Sequence, residues 1–256
     1  MLWFRLDISG FGYPGRSAMN VFLAGATGVI GRPLVGLLRD AGHVVTGTTR
    51  SAGKLAEIEK LGGKGVAVDA FDAEGLKSAV VAAKPDVVIH QLTDLPDVSD
   101  PAQMAAVREK NSRLRIEGTR NLMAAAKAAN VRRVVAQSIA FVYAPGQGPR
   151  RETDPLDSSE AQRTTIEGVK ALEDAVLNTP GIDGVVLRYG RLYGPGTWFD
   201  KPGSLGSLTA GSAAQAALLA LTRGAPGVYN IAEDDGAFSV DKARRELGFD
   251  PKWRMS

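Results

Sequence analysis

Three glycines recur at three-residue spacing between an apolar segment, residues 21–25, and an amphipathic one, residues 29–41. Glycines in such a turn permit a tight bend, a close approach of backbone to pyrophosphate and close packing of helix on strand. The helix start that follows offers N–H groups and a partial positive charge to phosphates. The spacing therefore favours a dinucleotide site over a purely structural turn. The predicted contacts from this turn are Gly25, Thr27, Gly28, Val29, Ile30 and Gly31.

The end of the second predicted strand, residues 43–49, bears on which dinucleotide binds. A carboxylate there would bind the adenosine ribose hydroxyls and favour NAD. The sequence has Thr49 and Arg50 instead, and a guanidinium can pair with the 2′-phosphate of NADP. The alternative is an exposed arginine that starts the next helix. We predict NADP(H) as the cofactor, with NAD as the alternative.

Asp69 ends the third predicted strand and is placed to accept a hydrogen bond from the adenine amino group. The alternative role is a residue at the start of the following helix. Either way, Asp69 belongs to the strand ends, where ligands of parallel sheets bind.

Apolar segments alternate with amphipathic ones along most of the chain. This alternation predicts an α/β fold, a Rossmann-like doubly wound parallel sheet with helices on both faces. The predicted strands are 21–25, 43–49, 65–69, 86–90, 132–138, 184–189 and 228–232. The predicted helices are 29–41, 52–61, 73–83, 101–129, 159–177, 213–222 and 239–247, and residues 198–212 are predicted to be a loop.

The composition excludes several classes of function. The 256 residues contain no cysteine, which rules out disulfides and thiolate chemistry, and the two histidines lack ligand spacing, so no metal site is expected. The net charge of +3 comes from scattered residues, whereas nucleic-acid binding favours a clustered basic stripe. No apolar run reaches the ~20 residues of a membrane span. We expect a cytoplasmic protein whose partner is a small-molecule substrate, with neither nucleic acid nor membrane.

Three regions are predicted along the chain. Residues 1–18 carry Arg5 and Asp7 and have no continuous apolar stretch, so they are expected to be a disordered extension and not a secretory signal. Residues 19–195 form the Rossmann domain, and residues 196–256 form a small, abbreviated C-terminal substrate region.

Several motifs together resemble the extended short-chain dehydrogenase/reductase family, the NAD(P)-dependent epimerase/dehydratases. They are the GxxGxxG turn, VVIHQLT (87–93), EGTRNLMAAAKAANVRRVV (117–135), FVYAPG (141–146) and LRYGRLYGPGT (187–197). The resemblance implies cofactor contacts from Gln91 and Tyr189, which lie in two of these motifs. It also implies a homodimer formed through the helices at 101–129 and 159–177.

The active-site residues of that family are only partly matched. Working members have a tyrosine as acid/base four residues before a lysine that holds the nicotinamide ribose. Lys170 matches the lysine, but Ile166 stands at the tyrosine position. The serine position is Ile139, with Ser138 one residue earlier, and a helix asparagine is replaced by Arg115. Lys170 and Ser138 are thus the candidate catalytic residues. The alternative role for Ser138 is structural, with its hydroxyl bonded to the backbone at the end of the strand.

Two hypotheses follow from this mixture. The first is an NADP(H)-dependent oxidoreductase or epimerase-like enzyme that acts on a small carbonyl or sugar-type substrate. The second is a non-catalytic NADP(H)-binding sensor or partner-binding protein, because isoleucine cannot transfer a proton.

Overall fold

Parallel strands form the central sheet, as the apolar patterning predicts. In the computed structural model, which describes residues 18–96 and 100–255, nine strands are present. They are β1 Asn20–Ala24, β2 Val44–Thr49, β3 Lys64–Ala67, β4 Val87–His90, β5 Arg133–Ile139, β6 Asp183–Tyr189, β7 Arg191–Tyr193, β8 Ser207–Thr209 and β9 Gly227–Ile231. Seven of them form one sheet in the order β3-β2-β1-β4-β5-β6-β9, and β7 pairs with β8. The first three strands are added toward one edge of the sheet, and β4 and the later strands are added toward the other edge. The order therefore switches between β1 and β4, where doubly wound folds form their ligand crevice.

Helices cover both faces of this sheet. They are α1 Gly31–Asp40, α2 Leu55–Lys60, α3 Ala73–Ala83, α4 Met104–Arg113, α5 Thr119–Ala128, α6 Arg163–Leu177, α7 Ala210–Ala220 and α8 Asp241–Leu247. One apolar core packs α1 and α7 on the sheet, with Leu34 and Ala217 among its members. The other core packs α3, α5 and α6 on the opposite face, with Leu122 and Leu172 fully buried. Since alternate residues of each strand enter the two cores, the strands are apolar throughout. The predicted Rossmann-like α/β fold is confirmed.

The helix predicted over residues 101–129 is interrupted. It divides into a 3-10 turn at Pro101–Gln103, then α4, a π-helical turn at Leu114–Gly118, and α5. The helix α4 crosses α6 at close range, because a Cβ atom on Gly168 would lie 2.6 Å from the Ser112 hydroxyl oxygen. A π-helical turn inserts an extra residue and shifts the faces of the helix, which hydrophobic periodicity alone does not reveal.

The loop predicted over residues 198–212 is partly wrong. It contains β8 and the first turn of α7, where the Thr209 side chain accepts a hydrogen bond from the Ser212 amide as a helix cap. The Gly- and Ser-rich composition hid both elements, since a three-residue strand has no measurable periodicity.

The C-terminal part of the chain is integrated with the sheet. The strand β9 pairs with β6, and α7 shares a core with α1. The predicted boundary at residue 195 remains a prediction, and residues 1–17 of the predicted extension lie outside the described residues. The helices within residues 18–96 and 100–255 are too short or too polar to span a bilayer.

Candidate functional site

The glycine turn joins β1 to α1 at the carboxyl edge of the sheet. Gly25 has a φ of +90°, and a Cβ atom there would lie 2.6 Å from the Gln91 carbonyl oxygen. A Cβ atom on Gly31 would lie 2.1 Å from the Gly25 carbonyl oxygen. Both positions therefore require glycine. The middle residue, Gly28, is exposed, which leaves the backbone of the turn open to a ligand.

The start of α1 is suited to an anion. Ile30 occupies the position before the helix, and no side chain within the described residues caps it. The first turn contains no acidic residue. The positive end of the helix dipole is therefore available to a phosphate group. Val29 and Ile30, both predicted as contacts, form the backbone immediately ahead of this helix start.

The end of β2 is tied to the glycine turn by hydroxyl groups. The Thr48 hydroxyl oxygen accepts from the Gly25 amide at 3.2 Å, and the Thr27 hydroxyl donates to the Thr49 hydroxyl oxygen at 3.3 Å. Thr49 is buried and also accepts from the Ser51 amide at 3.2 Å. The predicted contacts Thr27 and Thr49 are thus adjacent in the fold.

Arg50 is exposed but paired. Its Nη2 atom lies 3.0 Å from the Asp94 Oδ1 atom, and Asp94 belongs to the segment that follows β4. Sequence reasoning found no carboxylate at the end of β2, and the fold supplies one from a residue 44 positions away. The only available signal was that neighbouring strands of a parallel sheet end at the same edge.

The other predicted cofactor contacts differ in how far they are exposed to solvent. Asp69 is exposed and accepts from the Phe71 amide at 2.9 Å. Gln91 is buried, and its amide nitrogen donates to the Tyr189 hydroxyl oxygen at 3.2 Å. The Gln91 Oε1 atom is buried without a partner in the described structure. Burial raises the pKa of Tyr189, so this phenol stays neutral at ordinary pH.

The residues at the family's proton-transfer positions are apolar and lie together. Ile166, on α6, is 5% exposed and belongs to a cluster with Val142 and Val169. Ile139, at the end of β5, packs against the same cluster. Lys170 lies one helical turn after Ile166 and is exposed. A hydrocarbon patch thus replaces both hydroxyl groups at these positions.

Ser138 faces a buried ion pair instead of the backbone. Its hydroxyl donates to the Glu173 Oε1 atom at 2.7 Å. Arg188 donates to both oxygens of the same carboxylate, from Nε at 2.8 Å and from Nη2 at 2.6 Å. Both side chains of this pair are more than nine-tenths buried. A catalytic role for Ser138 would require its bond to Glu173 to break.

Tyr143 continues this buried network and is not free to act as an acid. Its hydroxyl donates to the Asn230 Oδ1 atom at 2.6 Å and accepts from Arg188 Nη1 at 2.8 Å. Burial raises the pKa of Tyr143, while the nearby Arg188 charge opposes the shift. The network escaped sequence reasoning because Glu173 and Arg188 lie within patterns that read as an ordinary helix and strand.

Arg115 lies in the π-helical turn and is buried. Burial lowers its pKa to about 10, although the Glu173 carboxylate opposes the change. Burial, together with the Arg115 charge, lowers the pKa of His90 to about 4. The His90 Nδ1 atom accepts from the Leu92 amide at 3.2 Å, so Nε2 carries the hydrogen toward the Thr119 hydroxyl at 2.9 Å. His90 is therefore a neutral structural residue.

Comparison with known proteins places the chain in a family. The sequence model of the NAD dependent epimerase/dehydratase family matches residues 21–220. That range contains the glycine turn, Arg50, Ile166 and Lys170.

A curated protein provides a relative by sequence. A 3-diazoavenalumate denitrifying reductase from Streptomyces sp. is 46% identical over 189 residues. The match covers 72% of this chain, and the chain spans about 60% of the length of that relative.

Solved structures with the same architecture have low sequence identity. A UDP-glucose 4-epimerase with UDP-glucose from Thermotoga maritima is 18% identical with a TM-score of 0.75, and the match covers 92% of this chain and 94% of the epimerase. The Bordetella bronchiseptica enzyme WbmG, in complex with NAD and UDP, is 19% identical with a TM-score of 0.74, over 95% of this chain and 92% of that chain. These likenesses concern the fold. The family model, which matches more than half of the chain, shows that this chain belongs to the NAD dependent epimerase/dehydratase family.

Proposed function

We propose that this protein is an NADP(H)-dependent reductase that transfers hydride to a substrate needing no proton from the enzyme. The observation that carries the proposal is the apolar cluster around Ile166 and Ile139. Reduction of a carbonyl group requires a proton for the oxygen as well as a hydride for the carbon. An isoleucine at each hydroxyl position leaves the second half of that reaction without the donor that working members of the family use. The carbonyl or sugar-type substrate implied by the resemblance is therefore disfavoured.

The cofactor half of the proposal is supported by residues that fit a dinucleotide. Gly25 and Gly31 allow the tight turn and the close packing of its backbone, the exposed Gly28 leaves the turn open to a pyrophosphate, and the start of α1 is open to its charge. Arg50 supplies a guanidinium for a 2′-phosphate, which favours NADP(H) over NAD(H). Lys170 is proposed to hold the nicotinamide ribose from α6, and Asp69 the adenine. The bound nicotinamide would supply the hydride.

The name of the curated relative suggests a substrate class that meets this requirement. That protein is a denitrifying reductase of a diazo compound. When hydride adds to a carbon that bears N2⁺, the carbon–nitrogen bond breaks, its electron pair leaves with dinitrogen, and the carbon keeps the hydride. NADPH becomes NADP⁺, and no proton enters the balance. We therefore propose a diazonium compound, in which N2⁺ is bound to the reacting carbon, as the substrate class.

The surroundings of Ile166 suit such a reaction. An apolar wall at this position would hold water away from a bound substrate, and water would compete with hydride for a diazonium carbon. Ser138 is proposed to contribute by positioning only, since Glu173 holds its hydroxyl at 2.7 Å. The buried Glu173–Arg188 pair would then fix the end of β5 beneath the cofactor.

The test combines cofactor binding with turnover. Purified protein is titrated with NADPH and NADH by fluorescence, then mixed with NADPH and either 3-diazoavenalumate or a simple arenediazonium salt. We expect NADPH to be consumed and dinitrogen to be released. Lys170→Ala should weaken NADPH binding and slow turnover, whereas Lys127→Ala, another exposed helix lysine, should change neither.

A second function is favoured by the same loss of the tyrosine. A non-catalytic NADP(H)-binding sensor would bind NADPH but leave it unconsumed with diazonium, carbonyl and nucleotide-sugar substrates alike. That result would replace the reductase proposal. If neither NADPH nor NADH binds to the folded protein, both functions are wrong.

A further inference from the structure

We propose that Asp94 determines, together with Arg50, how strongly the protein discriminates between NADPH and NADH. The inference rests on the dinucleotide-binding half of the proposed function. Its basis is the 3.0 Å contact between the Arg50 guanidinium and the Asp94 carboxylate at the end of β2. The guanidinium is therefore already occupied by an anion where a 2′-phosphate would bind.

Asp94 is held in place from both sides. Its own amide donates to the Oδ1 atom of Asn111 at 3.0 Å, and Asn111 is buried in α4. Two residues later, the Pro96 carbonyl oxygen accepts from the Trp198 indole nitrogen at 2.8 Å. The Asp94 side chain is only 22% exposed. The backbone at Asp94 is thus anchored at the crevice edge, and Arg50 holds its carboxylate there.

A fixed carboxylate at this position acts oppositely on the two cofactors. The 2′-phosphate of NADPH carries close to two negative charges, so Asp94 repels it and competes with it for Arg50. The ribose of NADH has a neutral 2′-hydroxyl, which can donate to a carboxylate. An aspartate or glutamate performs this second role from the end of β2 in NAD-binding folds. Here it would come from the segment after β4.

We therefore expect the natural protein to prefer NADPH over NADH moderately, because the Asp94 charge limits that preference. Removing the charge with Asp94→Asn should tighten NADPH binding by about two- to fivefold, since a charge pair with an exposed partner has effects of up to that size. NADH binding should stay the same or weaken. Arg50→Gln should weaken NADPH toward the affinity for NADH.

The decisive comparison is the double variant. Since Asp94 both competes for Arg50 and repels the 2′-phosphate, Asp94→Asn in the Arg50→Gln background should lose the part of its benefit for NADPH that comes from competition and keep the part that comes from repulsion. Dissociation constants for NADPH and NADH are measured by isothermal titration calorimetry for the natural protein, both single variants and the double variant. Asp40→Asn is the matched control, because it removes an equal charge from an exposed carboxylate that pairs with Arg39 at the far end of α1.

The outcomes separate this inference from the function on which it rests. A rise in the NADPH-to-NADH affinity ratio in Asp94→Asn, unchanged in Asp40→Asn, supports it. If both cofactors bind and the ratio stays within twofold in Asp94→Asn, the role of Asp94 is wrong while the dinucleotide site stands. If a folded protein binds neither cofactor, the dinucleotide site fails and this inference fails with it.

Discussion

Replacing Glu173 with glutamine tests the buried ion pair that supports the candidate site. The carboxylate accepts hydrogen bonds from Ser138 and from two nitrogens of Arg188, and both members of the pair are nearly inaccessible to water. Glutamine keeps the size of the side chain but removes the charge, and its amide hydrogens face an Arg188 nitrogen. The glutamine oxygen can still accept one hydrogen bond from Arg188, but no carboxylate neutralises the buried guanidinium, which also donates to the Tyr143 hydroxyl.

The expected loss of stability follows from that unpaired charge. Breaking a buried pair by removing one partner costs about 3–5 kcal/mol. With a urea m value of roughly 3 kcal/mol/M for a chain of this size, a loss of about 3 kcal/mol lowers the unfolding midpoint by about 1 M. Urea unfolding followed by circular dichroism measures this shift.

Two further variants make the test selective. Asp174→Asn alters the adjacent exposed carboxylate on α6 and should stay within about 0.5 kcal/mol of the natural protein. Glu173→Leu combined with Arg188→Met removes the whole pair and should cost less than Glu173→Gln alone. A midpoint for Glu173→Gln within the range of Asp174→Asn would refute the assignment of a supporting role to the pair.

The remaining predictions concern the glycine turn and His90. Gly31→Ala should abolish NADPH binding in a fluorescence titration and destabilise the protein by about 1–3 kcal/mol, because the added Cβ atom would overlap the Gly25 carbonyl. Gly36→Ala, in the same helix with no atom within 4 Å of the added Cβ, should keep NADPH binding and raise stability by roughly 0.4–1 kcal/mol; equal effects of the two variants would contradict this reasoning. Because the pKa of His90 falls from 6.5 unfolded to about 4 folded, the unfolded chain binds more protons in between. Stability should therefore decline as pH falls from about 6.5 to about 4, by up to about 1.4 kcal/mol per unit, and the decline should be shallower in His90→Gln. Parallel pH profiles for the two proteins in urea unfolding would disprove the assignment.

Local sequence patterns were sufficient to predict the fold. Each strand of the main sheet was predicted to within two residues at either end, because a strand buried on both faces is a short apolar run between turns. The glycine turn was equally easy to predict, because the need for glycine arises within the turn itself. Gly31 must accommodate a carbonyl group from its own loop. Interruptions within a helix were harder to predict from the sequence. The π-helical turn at Leu114–Gly118 depends on how α4 meets α6, and no residue type signals it.

The site depends on pairings that sequence does not reveal. Asp94 pairs with Arg50 across three adjacent strands, and Glu173 pairs with Arg188 between a helix and a strand. In each pair, both partners look like surface charges until the fold brings them together. Ile166 was recognisable because the surrounding motifs supplied the expectation of a tyrosine, but its apolar neighbours Val142 and Ile139 emerged only from packing.

Isotope transfer tests the central claim most directly. The protein is incubated with 3-diazoavenalumate and NADPH that carries deuterium at both C4 positions of the nicotinamide, in ordinary water. A reductase that needs no enzyme-derived proton predicts release of dinitrogen and a product with one deuterium at the carbon that carried it. A product whose new hydrogen comes from water, or a cofactor that binds and remains unoxidised, would contradict the proposed reaction.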